Sequence, residues 1–516
     1  MQNKVHFIAI FKTSDYKENL GLGNIKSFLQ LNNIDSTIHV VDADLPIIEQ
    51  LLFVNDNPAI VGISVYMHIE KEAFFIAKYI KSKSPNTHVF LGGPHITDRM
   101  EEILSSHTYI DSVCNGEGEK TVVDLAKRVF AMESLYGCEG ITYRNENGEV
   151  IKNKDATPIA DLDYLPFPDR SIYECHKKDY IYVMGSRGCL GHCTFCFDVT
   201  SRKSNCPKVR LRSGKNIADE LGLLHSRYGV NKFKFLDSTF DDPGVDGIDR
   251  NVELFDEIYK RNLRIRLSVN SRAELIRRYS NEYIQKAKNA GLESIYLGIE
   301  SGNSEDLKIY GKIATIQDNI EAIALLKKHD LNISYGFINF NPYSSIEKLS
   351  ENLDFLYKNG IAFTIESLCT FLEVFPQATI SKKIKRDGLL FNNYDYNDLG
   401  INFIFQDKKT ETLFKALRRL PLSYKTARYE NNMQMDHLYL QRTNEEIETA
   451  QRIYQSAIDL QKSRVKYTYD FFLRCLELAQ NNQKQELYAL METDKFFIYE
   501  QKIKDLYIQY KTITKL

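Results

Sequence analysis

The sequence predicts an α/β protein in three parts: an N-terminal doubly wound parallel-sheet domain, a partial (β/α)6 barrel, and a helical C-terminal domain. Short apolar runs alternate with helix-like stretches twice along the chain, which predicts the first two parts; helical spacing alone predicts the third. At 516 residues the chain exceeds one ordinary core, so several domains are expected. The borders are read as 1–150, a linker over 151–179, the barrel over 180–390 and the helical domain over 391–516.

In the first part, strand-like runs at 5–11, 37–41, 60–65, 89–92 and 112–114 alternate with helical stretches such as 22–31, 71–83 and 119–131. Glycine-rich turns follow several of them: Gly21-Leu22-Gly23, Gly92-Gly93-Pro94 and Gly116-Glu117-Gly118-Glu119. Ligands of such sheets bind at the carboxyl ends of the strands, although tight turns alone also account for glycine there. A hairpin is expected at 141–150, turning at Asn145-Glu146-Asn147-Gly148. The prolines and carboxylates of 160–169 suit an extended linker.

The second part has candidate strands at 181–185, 232–236, 264–269, 294–298, 332–337 and 362–370. Helices at 217–228, 252–261, 281–290, 316–328 and 346–359 separate them. The active site of such a βα array lies at the strand C-termini. In the third part Ile453, Ala457, Leu460, Tyr467, Phe471, Cys475 and Leu478 recur at near-helical spacing, as a packing stripe does.

Composition excludes several classes. Lys plus Arg is 67 and Asp plus Glu is 69, so no nucleic-acid partner is expected. The apolar run at 5–11 is too short for a membrane span or a signal peptide, and no later segment is long and apolar enough to span. A cytoplasmic location is expected. Nine cysteines in so long a chain are no disulfide framework. Cys114, Cys138, Cys175, Cys206, Cys369 and Cys475 are scattered, while three others crowd together.

Those three stand in Gly188-Cys189-Leu190-Gly191-His192-Cys193-Thr194-Phe195-Cys196, on a short loop directly after an expected strand. Soft thiolates bind iron–sulfur clusters or zinc. A structural zinc site takes four ligands, and the fourth would have to be His192 or a distant cysteine. Three cysteines instead leave one iron of a cubane open to the amino and carboxylate groups of a substrate.

The CxxxCxxC run, with aromatic Phe195 before its last cysteine, resembles the radical S-adenosylmethionine (SAM) superfamily, and further matches cover most of 180–360. The resemblance implies a [4Fe–4S] cluster on Cys189, Cys193 and Cys196, with SAM chelated by the open iron. It sets Asp237 and Ser238, at the end of a strand, beside the SAM amino group, and Arg272 beside its carboxylate. Leu297-Gly298-Ile299-Glu300-Ser301-Gly302 resembles the motif that touches the ribose or amino group, through Glu300 and Ser301. Gly336-Phe337-Ile338 resembles the strand that lines adenine, through Phe337. Relatives often read GxPxET next; here Asn339-Phe340-Asn341-Pro342-Tyr343-Ser344-Ser345 keeps the proline but not the glycine or the acid.

A doubly wound domain before such a barrel resembles the cobalamin-binding class of the superfamily, over about 1–390. The resemblance implies corrin contacts from Gly92, Gly93, Pro94, Gly116, Glu117 and Gly118. There is no DxHxxG sequence to supply a cobalt ligand; His68 and His95 are candidate neighbours or plain loop residues. The class implies methylation of an unactivated carbon by way of methylcobalamin and a 5′-deoxyadenosyl radical, the cofactors carrying the hard chemistry. It also implies a small-molecule or peptide substrate, and an electron donor such as flavodoxin or ferredoxin. Rearrangement or cyclisation without methyl transfer, and a chain that no longer binds cobalamin, are the alternatives. Tyr424, Tyr429, Tyr439 and Tyr454 could line a pocket or pack a core.

Overall fold

The structure, a computed structural model, describes residues 3–12, 18–197, 208–391, 401–420, 425–443, 448–493 and 495–515. They form two compact units: the described residues up to Gly188 with 208–230, and the remainder. Tyr424 and Cys206 lie outside the described residues.

In the first unit β1 (Lys4–Phe11), β2 (Asp35–Asp42), β3 (Ile60–Ser64), β4 (His88–Gly92) and β5 (Ser112–Cys114) run parallel in the order β2-β1-β3-β4-β5. The chain therefore switches direction at β1, where ligands of such sheets bind beyond the strand ends. β3 is buried at every position because apolar clusters cover both faces of the sheet. The expected hairpin forms as β6 (Ile141–Arg144) and β7 (Val150–Lys152), antiparallel on the β5 edge. Asn145 Oδ1 closes its turn by accepting the amides of Asn147 and Glu149.

The same unit contains β8 (Ile181–Val183) and an antiparallel pair, β9 (Ser186–Gly188) with β10 (Val209–Leu211). Buried ion pairs fix the linker there. Arg170 binds Glu18 at 3.1 Å and Glu220 at 2.6 Å, and Arg212 binds the other oxygen of Glu220 at 2.5 Å.

In the second unit β11 (Lys232–Phe235), β12 (Arg266–Arg272), β13 (Leu292–Glu300) and β14 (Asn332–Phe337) are consecutive parallel neighbours. The expected strand over 362–370 does not form. Thr364 accepts the Ser367 amide, and the Ser367 hydroxyl accepts the Thr364 amide, so the capping box closes a short helix, Ile365–Leu368. Just beyond that run Phe371 forms an isolated parallel bridge with Phe340.

The C-terminal helices Lys425–Thr443, Glu448–Gln480, Lys484–Glu492 and Phe496–Thr514 belong to this unit. The stripe packs as expected: Ala457, Phe471, Cys475 and Leu478 are buried. Tyr429 stacks on Tyr507 and Tyr454 on His437, and Tyr439 is buried, so these tyrosines pack between helices. None of the described helices is long and apolar enough to cross a membrane.

Asp436 keys the helices to the sheet. It accepts from Arg266 at 2.8 Å and lies 3.3 Å from Lys232 and 3.4 Å from Lys511. Its carboxylate is almost fully buried, as is the Arg266 guanidinium. Asp436→Ala leaves that guanidinium with Glu293, at 2.7 Å, but without its second carboxylate, and loss of a charged hydrogen-bond partner in a buried network costs about 1–3 kcal/mol. A fall in the denaturant midpoint, with the slope unchanged, is the expected result.

Candidate active site

The cysteine loop is tied down from both sides within the second unit. The Thr194 amide donates to Tyr310 O at 2.8 Å, its hydroxyl to Ile309 O at 2.7 Å, and its carbonyl accepts the Ile380 amide at 2.9 Å. The Phe195 ring meets the buried Tyr310 ring edge-on at 5.6 Å. Cys189 is buried, while Cys193 and Cys196 are partly exposed.

Cys189 and Cys193 face a common space in front of Gly191. A Cβ on Gly191 would stand 3.2 Å from Cys189 Sγ, 3.8 Å from Cys193 Sγ and 3.2 Å from Arg272 Nη1. Cys196 follows one turn on, its amide donating to Cys193 O at 3.2 Å. Among the described residues no three thiols, imidazoles or carboxylates stand as a ligand set for a single metal ion. A cubane takes its thiolates at separate corners, and a set of three soft donors fits one. Burial pushes the Cys193 thiol up, opposed by the charges of Lys312 and Arg272.

The strand ends beside the loop carry mixed charge. Arg272 closes β12; its Nη2 donates to Asp242 Oδ1 at 2.8 Å and its Nε lies 3.1 Å from Glu274 Oε1. Both Glu274 oxygens are buried without a hydrogen bond. On β13 a register shift falls between Gly298 and Glu300, and Glu300 has φ +66°, so its side chain turns back over the sheet. A Cβ on Gly336 would meet Glu300 Oε2 at 2.9 Å, and one on Gly298 would meet Glu300 Oε1 at 3.0 Å and Lys312 Nζ at 3.1 Å. The buried Lys312 ammonium donates to Gly298 O at 3.0 Å and lies 3.6 Å from Glu300. Two glycines thus make a cradle for a carboxylate and an ammonium, with the Glu274 carboxylate, ion-paired with Arg272 but without a hydrogen bond, nearby. That donor set fits a zwitterionic amino-acid group such as that of SAM.

The other expected SAM neighbours are placed as follows. Asp237 is buried and its carbonyl accepts from Asn270 Nδ2, whereas Ser238 is exposed. Ser301 is fully buried; its hydroxyl donates to Asn352 Oδ1 and accepts the Asn303 amide, so it shapes the turn after β13. Phe337 is buried and stacks on Phe355.

In the first unit, Gly92 ends β4, Gly93 follows it and Pro94 opens a short 3-10 turn. Gly93 has φ +116° and ψ 162°, and a Cβ there would stand 2.5 Å from Val65 O. Only glycine lets these two backbones approach. Asn115 Oδ1, beside Gly116, is buried without a hydrogen-bond partner. A turn without side chains at the end of a central strand and a spare buried acceptor fit a ligand rimmed with amides, as a corrin is. Gly118 opens the helix Gly118–Ala131 against Ile25. His95 is held by Glu70 at 2.5 Å, and Arg99 shares the same carboxylate.

Glu117 sits between Arg187, at 3.2 Å, and Arg210, and also accepts the Ile159 amide at 2.9 Å. Burial opposes its ionisation, but the Arg210 hydrogen bonds and Arg187 charge outweigh that and hold it down at about 2. The carboxylate therefore ties the linker to β9 and β10. Its folded pKa lies below the ordinary 4.5, so its stabilisation is present above pH 4.5 and is lost as pH falls towards 2. Glu117→Gln is expected to lower the unfolding midpoint at pH 7, with the gap from the parent closing through that window.

Sequence reasoning did not single out Asp242, Glu274 or Lys312. Glu274 could have been suspected from its place two positions after Arg272; no local pattern marks Lys312.

A radical SAM superfamily model matches residues 183–356 and a B12-binding domain model matches 9–126. An uncharacterised methyltransferase, PH0819, of Pyrococcus horikoshii is 30% identical over 379 residues, 71% of this chain and 79% of that protein. The 4′-phospho-dehydrooxetanocin synthase of Priestia megaterium is 27% identical over 363 residues, 66% of this chain but 48% of that enzyme. The solved structure of the cobalamin-dependent SAM radical enzyme OxsB, with aqua-cobalamin and SAM bound, superposes over 99% of this chain and 79% of that one, with a TM-score of 0.72 at 19% identity. That likeness concerns the fold.

Sheet, barrel strands and cysteine loop together define a radical SAM enzyme with a B12-binding domain. The chain belongs to the family of cobalamin-dependent radical SAM enzymes. Its cofactors are a [4Fe–4S] cluster, SAM and cobalamin.

Proposed function

We propose that this chain methylates an unactivated carbon of a small natural product or a peptide. A B12-binding sheet and a three-cysteine barrel loop in one chain carry the reading, and the relative named as a methyltransferase supports it. When bound, the reduced cluster and SAM supply a 5′-deoxyadenosyl radical, and cobalamin supplies methyl transfer.

The chain's own residues bind and orient. Cys189, Cys193 and Cys196 hold the cluster, and Phe195 wedges the loop against Tyr310. Glu300, Asp237 and Ser238 serve the SAM amino and ribose end, with Glu274 as a further buried carboxylate. Arg272 and Lys312 offset the negative charge of thiolates and of the SAM carboxylate. Phe337 backs the adenine side, and Ser301 keeps Glu300 in place through its turn. Gly92, Gly93, Pro94, Gly116 and Gly118 leave backbone room for the corrin, and Glu117 anchors the turn they frame. A flavodoxin- or ferredoxin-type donor delivers the electron. The domain borders at 150, 179 and 390 belong to this proposal.

The test is incubation of the reconstituted enzyme with SAM labelled in its methyl group and a pool of candidate metabolites. Label in a new product supports methylation. Turnover of SAM to 5′-deoxyadenosine with an unlabelled new product favours rearrangement or cyclisation, the reading that the similarity to a synthase keeps open.

A further inference from the structure

Cys189 Sγ has more hydrogen-bond neighbours than a loop thiol needs. The Gly191 amide donates to it at 3.2 Å, the Thr239 hydroxyl lies at 3.4 Å, and Arg272 Nη1 stands at 3.8 Å. Behind them is Asp242, fully buried. One oxygen of Asp242 accepts the Leu190 amide at 2.6 Å and the other accepts Arg272 Nη2 at 2.8 Å. A single carboxylate thus grips the residue after Cys189 and the guanidinium that faces its sulfur.

We propose that Asp242 is a positioning residue of the cluster site, clamping the Cys189 loop to Arg272 so that Arg272, Thr239 and the Gly191 amide together raise the reduction potential of the cluster. This rests on the reading that Cys189 is a cluster ligand. Reduction adds negative charge to the cluster and its sulfurs, so donors aimed at a ligating sulfur favour the reduced state. Asp242 does not itself face the sulfur. Its effect runs through the orientation of Arg272, which Glu274 alone leaves without a well-aligned hydrogen bond.

The experiment is a potentiometric titration of the anaerobically reconstituted full-length enzyme, followed by electron paramagnetic resonance of the reduced cluster. Arg272→Met is expected to move the midpoint to more negative potential. In an Asp242→Asn background, where the Leu190 amide keeps an acceptor but the ion pair is gone, the same substitution is expected to move it by less than half as much. Thr239→Val is a second probe that leaves the clamp alone; it too is expected to move the midpoint negative with four irons retained. Equal shifts for Arg272→Met in both backgrounds, or no shift for Arg272→Met and Thr239→Val, overturn the proposal while leaving the cluster assignment standing. A parent enzyme without a cluster overturns the assignment and this proposal with it.

Discussion

Alanine at any one of Cys189, Cys193 or Cys196 is expected to bring 5′-deoxyadenosine formation down to the rate seen without enzyme. The loop supplies three thiols and no fourth, so each variant leaves a cubane with two protein ligands. The fold is expected to survive, because the loop is also held by Thr194 and by the packing of Phe195 on Tyr310, which these variants leave in place. Iron content and SAM cleavage therefore fall while the unfolding midpoint of the metal-free chain stays near that of the parent. A variant that retains a four-iron cluster and cleaves SAM at the parent rate removes that cysteine from the ligand set.

The second large effect is expected at Gly93. Its φ and ψ lie in a region that residues with a Cβ occupy only under strain, at a cost of about 1–3 kcal/mol. In Gly93→Leu the Cβ also meets Val65 O at 2.5 Å, so the turn after β4 must move. That turn is where the proposed corrin site needs backbone room. Where that cost falls on the bound state it amounts to about a tenfold to hundredfold loss of corrin affinity. Corrin absorbance after gel filtration reads it directly. Iron content, set by a loop in the other unit, is expected to stay unchanged, and a variant that keeps full corrin absorbance removes Gly93 from the site.

Much of this was legible from sequence, for identifiable reasons. Buried parallel strands read as apolar runs, so β5 and β14 fell where the runs did. The capped helix Ile316–Lys328 also matched its pattern, because Thr315 and Asp318 form the capping box at its start. The run at 362–370 misled because its apolar residues hide a Thr–Ser capping pair that satisfies the backbone locally. The cysteines are legible because their spacing is local. Asp242 is not, since it reaches the Leu190 amide from 52 positions away and only the fold brings them together. Glu117 shows the converse: its motif was visible, but its carboxylate is held by two arginines that the linear pattern could not connect to it. Ser301 likewise stands in a motif, yet its hydroxyl is turned inward to Asn352.

The most direct test of the central claim is iron, sulfide and corrin analysis of the parent chain after anaerobic reconstitution and gel filtration. About four irons, four sulfides and one corrin per chain are expected, as the cluster stoichiometry and one B12-binding domain require. A chain that emerges with neither iron nor corrin contradicts that claim.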